Sequence, residues 1–285
     1  MTNNSTNAKT LLNEVEQIYS EKEIISYAKK INKIYNLLSS DILIWQDLKN
    51  IFGTNSYALF DKYSSQFVAN KFINELFLKY HINEKILKYM LVKDLISKDE
   101  TVVFEMNTLN SRVDICRING QSYAYEIKSE YDSLKRLGKQ LSDYSKLFEF
   151  VFVIVTVKHL EEAQLIIPLH CGIILYKDGK LRTIKKATKS PLISPKEQLS
   201  HIHPSKFKYN FTYPYDGDES SKALEAILTK YTNKTINTRF KKILKSKYKE
   251  EWKFVRDNYT NILPIDVEAF FQTTLSPELV YSKKA

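Results

Sequence analysis

The chain of 285 residues contains little cysteine, glycine or proline, and it has no long apolar run. Two cysteines, Cys116 and Cys171, are too few for a disulfide framework, and their spacing excludes a paired zinc motif. Six glycines and seven prolines, with 43% hydrophobic residues, favour a folded, helix-rich protein over a disordered one. No apolar run approaches about 18 residues and the first ten residues are polar, so we expect neither a membrane span nor a signal peptide. These absences predict a soluble, cytoplasmic protein.

Two segments of alternating polar and apolar residues, 111–118 and 121–129, flank Asn119-Gly120 and indicate a β-hairpin. Successive side chains of a strand point to opposite faces, so a plain two-residue turn would separate Asp114 from Glu126. A three-residue connection with Gly120 in a left-handed bulge would pair position 114 with 124. Glu126 would then lie diagonal to Asp114 on the same face. We therefore predict a bulged turn.

Asp114, Glu126 and Lys128 on one strand face form the minimum set for metal-dependent phosphodiester hydrolysis. Two carboxylates a few ångströms apart repel each other unless a cation or a proton lies between them. Oxygen ligands suit Mg²⁺ or Mn²⁺, and the backbone carbonyl of Ile127 is a further candidate ligand. The cation would polarise the phosphoryl oxygen and acidify a water, while Lys128 would orient that water or stabilise the developing charge. An exposed strand face with ordinary charges is the alternative.

A helix and a buried strand are predicted directly after this hairpin. Apolar residues at three-and-four spacing predict an amphipathic helix over residues 132–148. Gln140 and Tyr144 lie four residues apart, on one side of it. The nearly continuous apolar run over residues 149–157 is typical of a strand that is buried on both faces.

This order of elements resembles the PD-(D/E)XK nuclease superfamily, the restriction-endonuclease-like fold, over about residues 80–187. Ser-Arg-Val-Asp-Ile, Tyr-Glu-Ile-Lys-Ser and the segment 158–161 are also similar to a family of small bacterial proteins of unassigned role. The resemblance implies an α/β (α+β) fold with a central mixed sheet flanked by helices. It implies that Asp114 and Glu126 are metal ligands and Lys128 the catalytic lysine, and that Gln140 and Tyr144 support the site. Valine stands at 113, where the name of the signature has proline.

A third acidic ligand is usual in the superfamily that the chain resembles, and two residues are candidates. Glu105 would lie on the first strand beside Asp114, and we favour it. Glu84, on the preceding helix, is the alternative. A solvated glutamate is the ordinary explanation for either.

Four regions are predicted along the chain. Residues 1–62 form a helical N-terminal region, and residues 63–190 form the nuclease-like core, which ends in a hairpin turned at Asp178-Gly179. Residues 191–215 are proline-rich and predict an irregular linker. Residues 216–285 form a basic helical C-terminal region.

Positive charge is concentrated in this C-terminal region, within a chain of net charge +10. Residues 222–256 contain eleven Lys or Arg and three Glu, and apolar residues recur among them at helical spacing. A helix docked by its apolar side would present its cations to a phosphate backbone. The candidate nucleic-acid ligands are Lys241, Lys242, Lys245 and Lys249. A solvated lysine-rich helix is the alternative.

The sequence thus favours a Mg²⁺- or Mn²⁺-dependent nuclease that acts on DNA rather than RNA, with a role in bacterial defence or mobile-element biology. The second hypothesis is a nucleic-acid-binding or protein-interaction module that keeps the fold and is inactive alone. A protein partner or a homodimer is compatible with both hypotheses, and no membrane association is expected. Tight binding without turnover would favour the second hypothesis.

Overall fold

The computed structural model describes residues 2–97, 100–108, 110–212 and 220–282. The strands are β1 (Thr101–Asn107), β2 (Arg112–Asn119), β3 (Gln121–Lys128), β4 (Phe150–Thr156), β5 (Gly172–Lys177) and β6 (Lys180–Lys185). The helices are α1 (Thr2–Ile18), α2 (Glu21–Ile34), α3 (Asp41–Phe52), α4 (Tyr57–Ser64), α5 (Ala69–Tyr80), α6 (Glu84–Lys93), α7 (Leu137–Ser145), α8 (Leu160–Ile166), α9 (Pro195–Ser200), α10 (Phe207–Asn210), α11 (Ser220–Lys230), α12 (Asn233–Lys247), α13 (Lys249–Asn258), α14 (Val267–Thr273) and α15 (Pro277–Val280).

The chain divides into two compact units at different places from the predicted boundaries. Unit 1 contains residues 1–89 and 257–285, and unit 2 contains residues 90–256. Residues 63–89, which we assigned to the nuclease-like core, belong to unit 1 because α5 packs against α1, α2 and α3. Parts of the predicted regions, namely residues 1, 98–99, 109, 213–219 and 283–285, lie outside the described residues.

Unit 1 is a helical unit with an aromatic core. Ser20 begins α2 through a capping box with Glu23, and Ser40 caps α3, so local chemistry fixes where these helices start. Phe52, Phe60 and Phe72 are buried and contact one another at ring-centroid distances of 5.2–6.1 Å. Burial of such large side chains is the main stabilising contribution to this unit.

A buried carboxylate, Asp266, also links distant parts of unit 1. Tyr281 donates a hydrogen bond to Asp266 Oδ2 at 2.7 Å, and Tyr35 donates to Oδ1 at 2.9 Å. Asn70 Nδ2 donates to the Tyr35 hydroxyl at 2.8 Å. Burial raises the pKa of Asp266 to about 6, although the hydrogen bonds from Tyr281 and Tyr35 oppose the rise.

The raised pKa of Asp266 predicts a pH-dependent stability. Because the folded state favours the protonated acid, the free energy of unfolding should fall as pH rises from about 4 to about 6, then level off. A shift of about two pKa units corresponds to at most about 3 kcal/mol. Urea unfolding from pH 4 to 7 measures the free energy of unfolding of the wild type and of Asp266→Asn. The difference between the two proteins at each pH is the contribution of the Asp266 carboxyl group. Identical pH profiles for the two proteins would contradict the prediction.

Unit 2 is built on a mixed six-stranded sheet of order β1-β2-β3-β4-β5-β6. Neighbouring strands are antiparallel except for β3–β4 and β4–β5, which are parallel. Val151, Val153, Ile154 and Val155 of β4 are fully buried, as the apolar run predicted. The hairpin of β5 and β6 turns at Asp178-Gly179 with both residues at positive φ, which confirms the predicted turn.

Helix α7 is shorter than predicted but lies where the pattern placed it. It covers Leu137–Ser145, whereas the apolar spacing predicted residues 132–148. A turn anchored by Asp132, which accepts hydrogen bonds from the Ser129 amide and hydroxyl, replaces the first part of the predicted helix. Helix α7 packs against β2, β3 and β4, so the side chains on its inner face reach the predicted site.

The segment predicted as a linker is packed structure as far as residue 212. It contains α9 and α10, and Leu199, Ile202, Phe207 and Phe211 are buried. Its four prolines suggested irregular backbone, but Pro195 opens a helix, a position where its missing N–H has no cost. Helix α9 in turn packs against α11 and α12.

The fold class is therefore mixed α/β, as the sequence predicted: the described residues combine helices with a mixed six-stranded sheet. Within the described ranges, no helix is both long enough and apolar enough to cross a bilayer.

Candidate active site

The hairpin of β2 and β3 brings Asp114 and Glu126 to one face of the sheet. Ile115 pairs with Tyr125 and Ile118 pairs with Ser122, so the same register places Asp114 directly opposite Glu126. Gly120 has φ of +64°, the left-handed conformation that we predicted.

The predicted pairing of position 114 with 124 was wrong by two residues. The connection runs from Asn119 to Gln121, one residue later than expected. Ile118 stays in the ladder because its side chain is buried, and Ser122 is fixed by hydrogen bonds with Glu149. A shift of two residues preserves the face of every side chain, so the predicted grouping of the acids survives.

The side chain of Asp114 links β2 to β3 just beyond the last paired residues of the two strands. Its Oδ2 atom accepts a hydrogen bond from the Ile127 amide at 2.6 Å, and the residue is only 9% exposed. In an extended strand, the N–H and the C=O of one residue point to the same side. The Ile127 carbonyl therefore points toward β2, as required of the predicted backbone ligand.

Glu126 is the most connected side chain of the site. Lys128 Nζ and Gln140 Nε2 donate to its Oε1 at 2.6 and 2.7 Å, and the Tyr144 hydroxyl lies 2.7 Å from Oε2. Glu126 is 2% exposed, and a buried carboxylate requires such compensation. The structure thus brings together Asp114, Glu126, Lys128, Gln140 and Tyr144.

Tyr144 anchors α7 to the two strands. Its hydroxyl also lies 2.6 Å from the Arg112 carbonyl, so its single proton is shared between two acceptors. Burial, reinforced by the charges of Glu126 and Asp114, raises the pKa of Tyr144 far above its usual range. The phenol therefore stays neutral and acts as a donor.

Replacing Tyr144 with phenylalanine should destabilise the protein by about 1–3 kcal/mol, because a buried carboxylate oxygen loses its donor. Any cleavage activity should fall as well, since Glu126 would lose its fixed orientation. Thermal or urea unfolding measures the first effect. Tyr123→Phe is the matched control, because the Tyr123 hydroxyl donates only to the exposed Gln121. Equal stability of the two variants would contradict this role of Tyr144.

The donor set fits a hard divalent cation. Two carboxylates and the Ile127 carbonyl provide oxygen atoms only, as Mg²⁺ and Mn²⁺ prefer, with water for the remaining positions. Lys128 forms an ion pair with Glu126 at 2.6 Å, so one positive charge already compensates this buried carboxylate. Among the described residues, no group of three or more acidic, histidine or cysteine ligand atoms within 4.8 Å of one another includes Asp114 or Glu126.

Glu105, the favoured third acid, does not complete this set. It lies opposite Asp114 between two ladder pairs of β1 and β2, with φ of +52°. Its carboxylate forms an ion pair with Arg112, which shares a strand face with Asp114. The expected ligand is therefore engaged by a neighbouring cation that the sequence analysis did not consider. The alternative, Glu84, belongs to unit 1, where it pairs with Lys88 at 2.5 Å.

The four lysines predicted to bind nucleic acid lie on α12 and α13, whose apolar residues Ile236, Phe240 and Trp252 are buried as the spacing predicted. Lys241 is not free for a phosphate, because it pairs with Glu149 Oε2 at 2.8 Å and its side chain is only 12% exposed. Lys242 and Lys249 are exposed, and Lys245 is partly exposed. The prediction for Lys241 mistook an internal ion pair for surface charge.

Sequence analysis also missed Glu149, which organises this side of unit 2. Besides Lys241, it accepts hydrogen bonds from the Ser122 amide and Asn237 Nδ2, and Lys189 pairs with it at 3.2 Å. The only signal was a glutamate at the start of a strongly apolar strand. Such a residue is expected to be paired when it is buried.

Comparison with known proteins identifies the family. Residues 73–270 match the family described as Bacteriophage P4 protein cII, and this range includes the whole candidate site. Protein cII of Enterobacteria phage P4 is 33% identical over 91 residues, which are 31% of this chain. The matched segment spans 34% of that relative, about a third of its length.

A solved structure from Silicibacter pomeroyi, of a protein of unknown function, shares 18% identity and covers 38% of this chain and 73% of its own. Its TM-score of 0.31 is too low to inform the fold. The resemblance to PD-(D/E)XK nucleases stays a prediction. The match to residues 73–270 covers more than half of the sequence, and the chain therefore belongs to the bacteriophage P4 protein cII family.

Proposed function

We propose that the protein is a Mg²⁺- or Mn²⁺-dependent nuclease that hydrolyses phosphodiester bonds in DNA. The observation that carries the proposal is the pair of buried carboxylates, Asp114 and Glu126, opposite each other with Lys128 on the same face. Gln140 and Tyr144 hold one of these carboxylates from the adjacent helix. Buried charge is costly, so a cluster of this kind is more easily understood as functional than as stabilising.

Each residue has a definite task in this proposal. Asp114 and Glu126 would hold the cation, which when bound would supply polarisation of the phosphoryl oxygen and activation of a water. Lys128, on the same face, would stabilise the charge that develops on the phosphate or orient the attacking water. Gln140 and Tyr144 fix the Glu126 carboxylate, because their hydrogen bonds limit its rotation.

DNA is the proposed substrate, and the net charge of +10 supports a polyanionic partner. The phage origin of the named relative supports a role in mobile-element biology, where the substrate and the enzyme meet in the cytoplasm.

A cleavage panel tests the proposal. Plasmid, linear duplex, single-stranded DNA and RNA are each incubated with the full chain and Mg²⁺, Mn²⁺ or EDTA. We expect cleavage of at least one DNA substrate with either metal and none in EDTA. Asp114→Asn, which keeps the shape of the side chain, should abolish it. The matched control is Glu161→Gln, because Glu161 is an exposed acid on α8. Activity that persists in Asp114→Asn would exclude this site as its source.

One observation favours a second candidate, a binding module that is inactive alone. Both oxygen atoms of Glu126 already have protein donors, as in a purely structural network. In that case the protein would bind DNA with equal affinity in EDTA and in Mg²⁺, and no substrate of the panel would be cleaved.

A further inference from the structure

We propose that the hairpin of β5 and β6 binds the phosphate backbone of duplex DNA through Lys177, Lys180 and Arg182. We call these three residues the hairpin surface. The inference depends on the proposed function only for the choice of DNA as the ligand. Residues 177–189 contain six Lys or Arg and one Asp, a concentration of charge that the predictions for the C-terminal helices overlooked. The three named side chains are all exposed.

The register of the sheet places this surface on the same face as the candidate site. Lys128 pairs with Val155 of β4, Val155 with Leu175 of β5, and Leu175 with Arg182 of β6. Residues paired in this way project from one face, and three strand spacings separate Lys128 from Arg182 by about 14 Å. Lys180 lies two residues before Arg182 and shares its face. A duplex with a phosphate at the candidate site is wide enough to reach both cations.

The hairpin surface also lies at the same edge of the sheet as the catalytic lysine. Strands β3, β4 and β5 are parallel, and Lys128 and Lys177 are the last residues of β3 and β5. Their carboxyl ends therefore meet at one edge, where the tip of the hairpin projects. Ligands of open sheets bind at this edge, because strand ends leave side chains and loops accessible.

The charges of the hairpin surface are not neutralised by any carboxylate of the part of the chain that the structure describes. Lys177 and Lys180 are direct cross-strand partners, and like charges at such positions destabilise a sheet. No carboxylate of a described residue lies within 4.0 Å of the charged atoms of Lys177, Lys180 or Arg182. A phosphate backbone would relieve this repulsion. By contrast, Lys189 and Lys241 are paired with Glu149.

Protection of an edge strand is the competing explanation, because lysines on an exposed edge prevent pairing with another chain. The two explanations differ in their dependence on salt. Each phosphate contact in duplex DNA contributes about 0.9 to the slope of log affinity against log salt concentration. Loss of two contacts should therefore lower the slope by about 2, whereas edge protection contributes nothing to it.

The test measures fluorescence anisotropy of a labelled duplex of about 30 base pairs with the full chain in EDTA, at salt concentrations from about 50 to about 200 mM. Lys180→Glu/Arg182→Glu should weaken binding at least tenfold and lower the slope by about 2. Lys22→Glu/Lys33→Glu is the matched control with the same change of charge, on exposed positions of α2, and should stay within twofold of the wild type. Thermal unfolding checks that the variants are folded, and Lys180→Gln/Arg182→Gln repeats the test without charge reversal.

Unchanged affinity and slope in both hairpin variants would overturn the proposal. The proposal would also be overturned if Lys242→Glu/Lys249→Glu lowered the slope and the hairpin variants did not. That result would place the DNA-binding surface on α12 and α13. Because EDTA prevents metal-dependent cleavage, the binding result is independent of the nuclease proposal. Weakened binding without any cleavage in the panel would support this surface and refute only the proposed activity.

Discussion

Lys128→Met should lower the rate of DNA cleavage by at least about 100-fold and leave the affinity for DNA within about twofold. Lys128 is 9% exposed and its ammonium bonds Glu126, so it lies next to the proposed cation rather than on the surface that binds DNA. Removal of one preorganised donor to a developing negative charge typically costs about 100-fold to 1,000-fold in rate. Single-turnover cleavage and anisotropy on the same protein measure the two quantities.

The control for this substitution is Lys196→Met, which removes an exposed lysine from α9 and should change neither quantity. Unfolding measurements distinguish a chemical role from loss of structure, because Gln140 and Tyr144 still hold Glu126 in Lys128→Met. Full activity in Lys128→Met would remove the lysine from the proposed chemistry. A parallel loss of affinity and rate would assign it to DNA binding instead.

Lys241→Met should lower the free energy of unfolding by about 2–3 kcal/mol, the second large effect that the structure predicts. The substitution leaves Glu149, which is 4% exposed, without its closest cation, and a buried charge that loses its partner is strongly destabilising. Burial raises the pKa of Glu149, but Lys241 and the other donors outweigh that effect and hold it below its usual value. Urea unfolding at neutral pH measures the change.

Lys242→Met is the matched control, one residue away on α12, and should change stability by less than about 0.5 kcal/mol. DNA affinity in the two variants provides a second comparison. Lys241→Met with unchanged stability and weakened DNA binding would restore the original prediction for this lysine and contradict its structural role.

The sequence predicted the face of the site better than its register. Alternation around Asn119-Gly120, together with the parity of Asp114 and Glu126, fixed which side chains lie together, because a strand has a period of two. The register depended on the burial of Ile118 and on the tie between Ser122 and Glu149. Those are contacts between distant residues, which local pattern does not contain.

Charged residues were the least predictable part of the chain. Glu105 and Lys241 were chosen by position and charge, yet each pairs with a residue of opposite charge, Arg112 and Glu149. The repeated apolar spacing of α12 correctly predicted its buried side. Spacing alone does not show which lysine of a helix meets a carboxylate on another element, because that depends on how the elements pack.

Titration with Mn²⁺ tests the central claim most directly, namely that Asp114 and Glu126 bind one divalent cation. Electron paramagnetic resonance of free Mn²⁺ counts the ions bound per chain without requiring turnover. We expect saturable binding in the wild type, its loss in Asp114→Asn and Glu126→Gln, and its retention in Glu161→Gln. Identical Mn²⁺ binding by the wild type and Asp114→Asn would contradict the account.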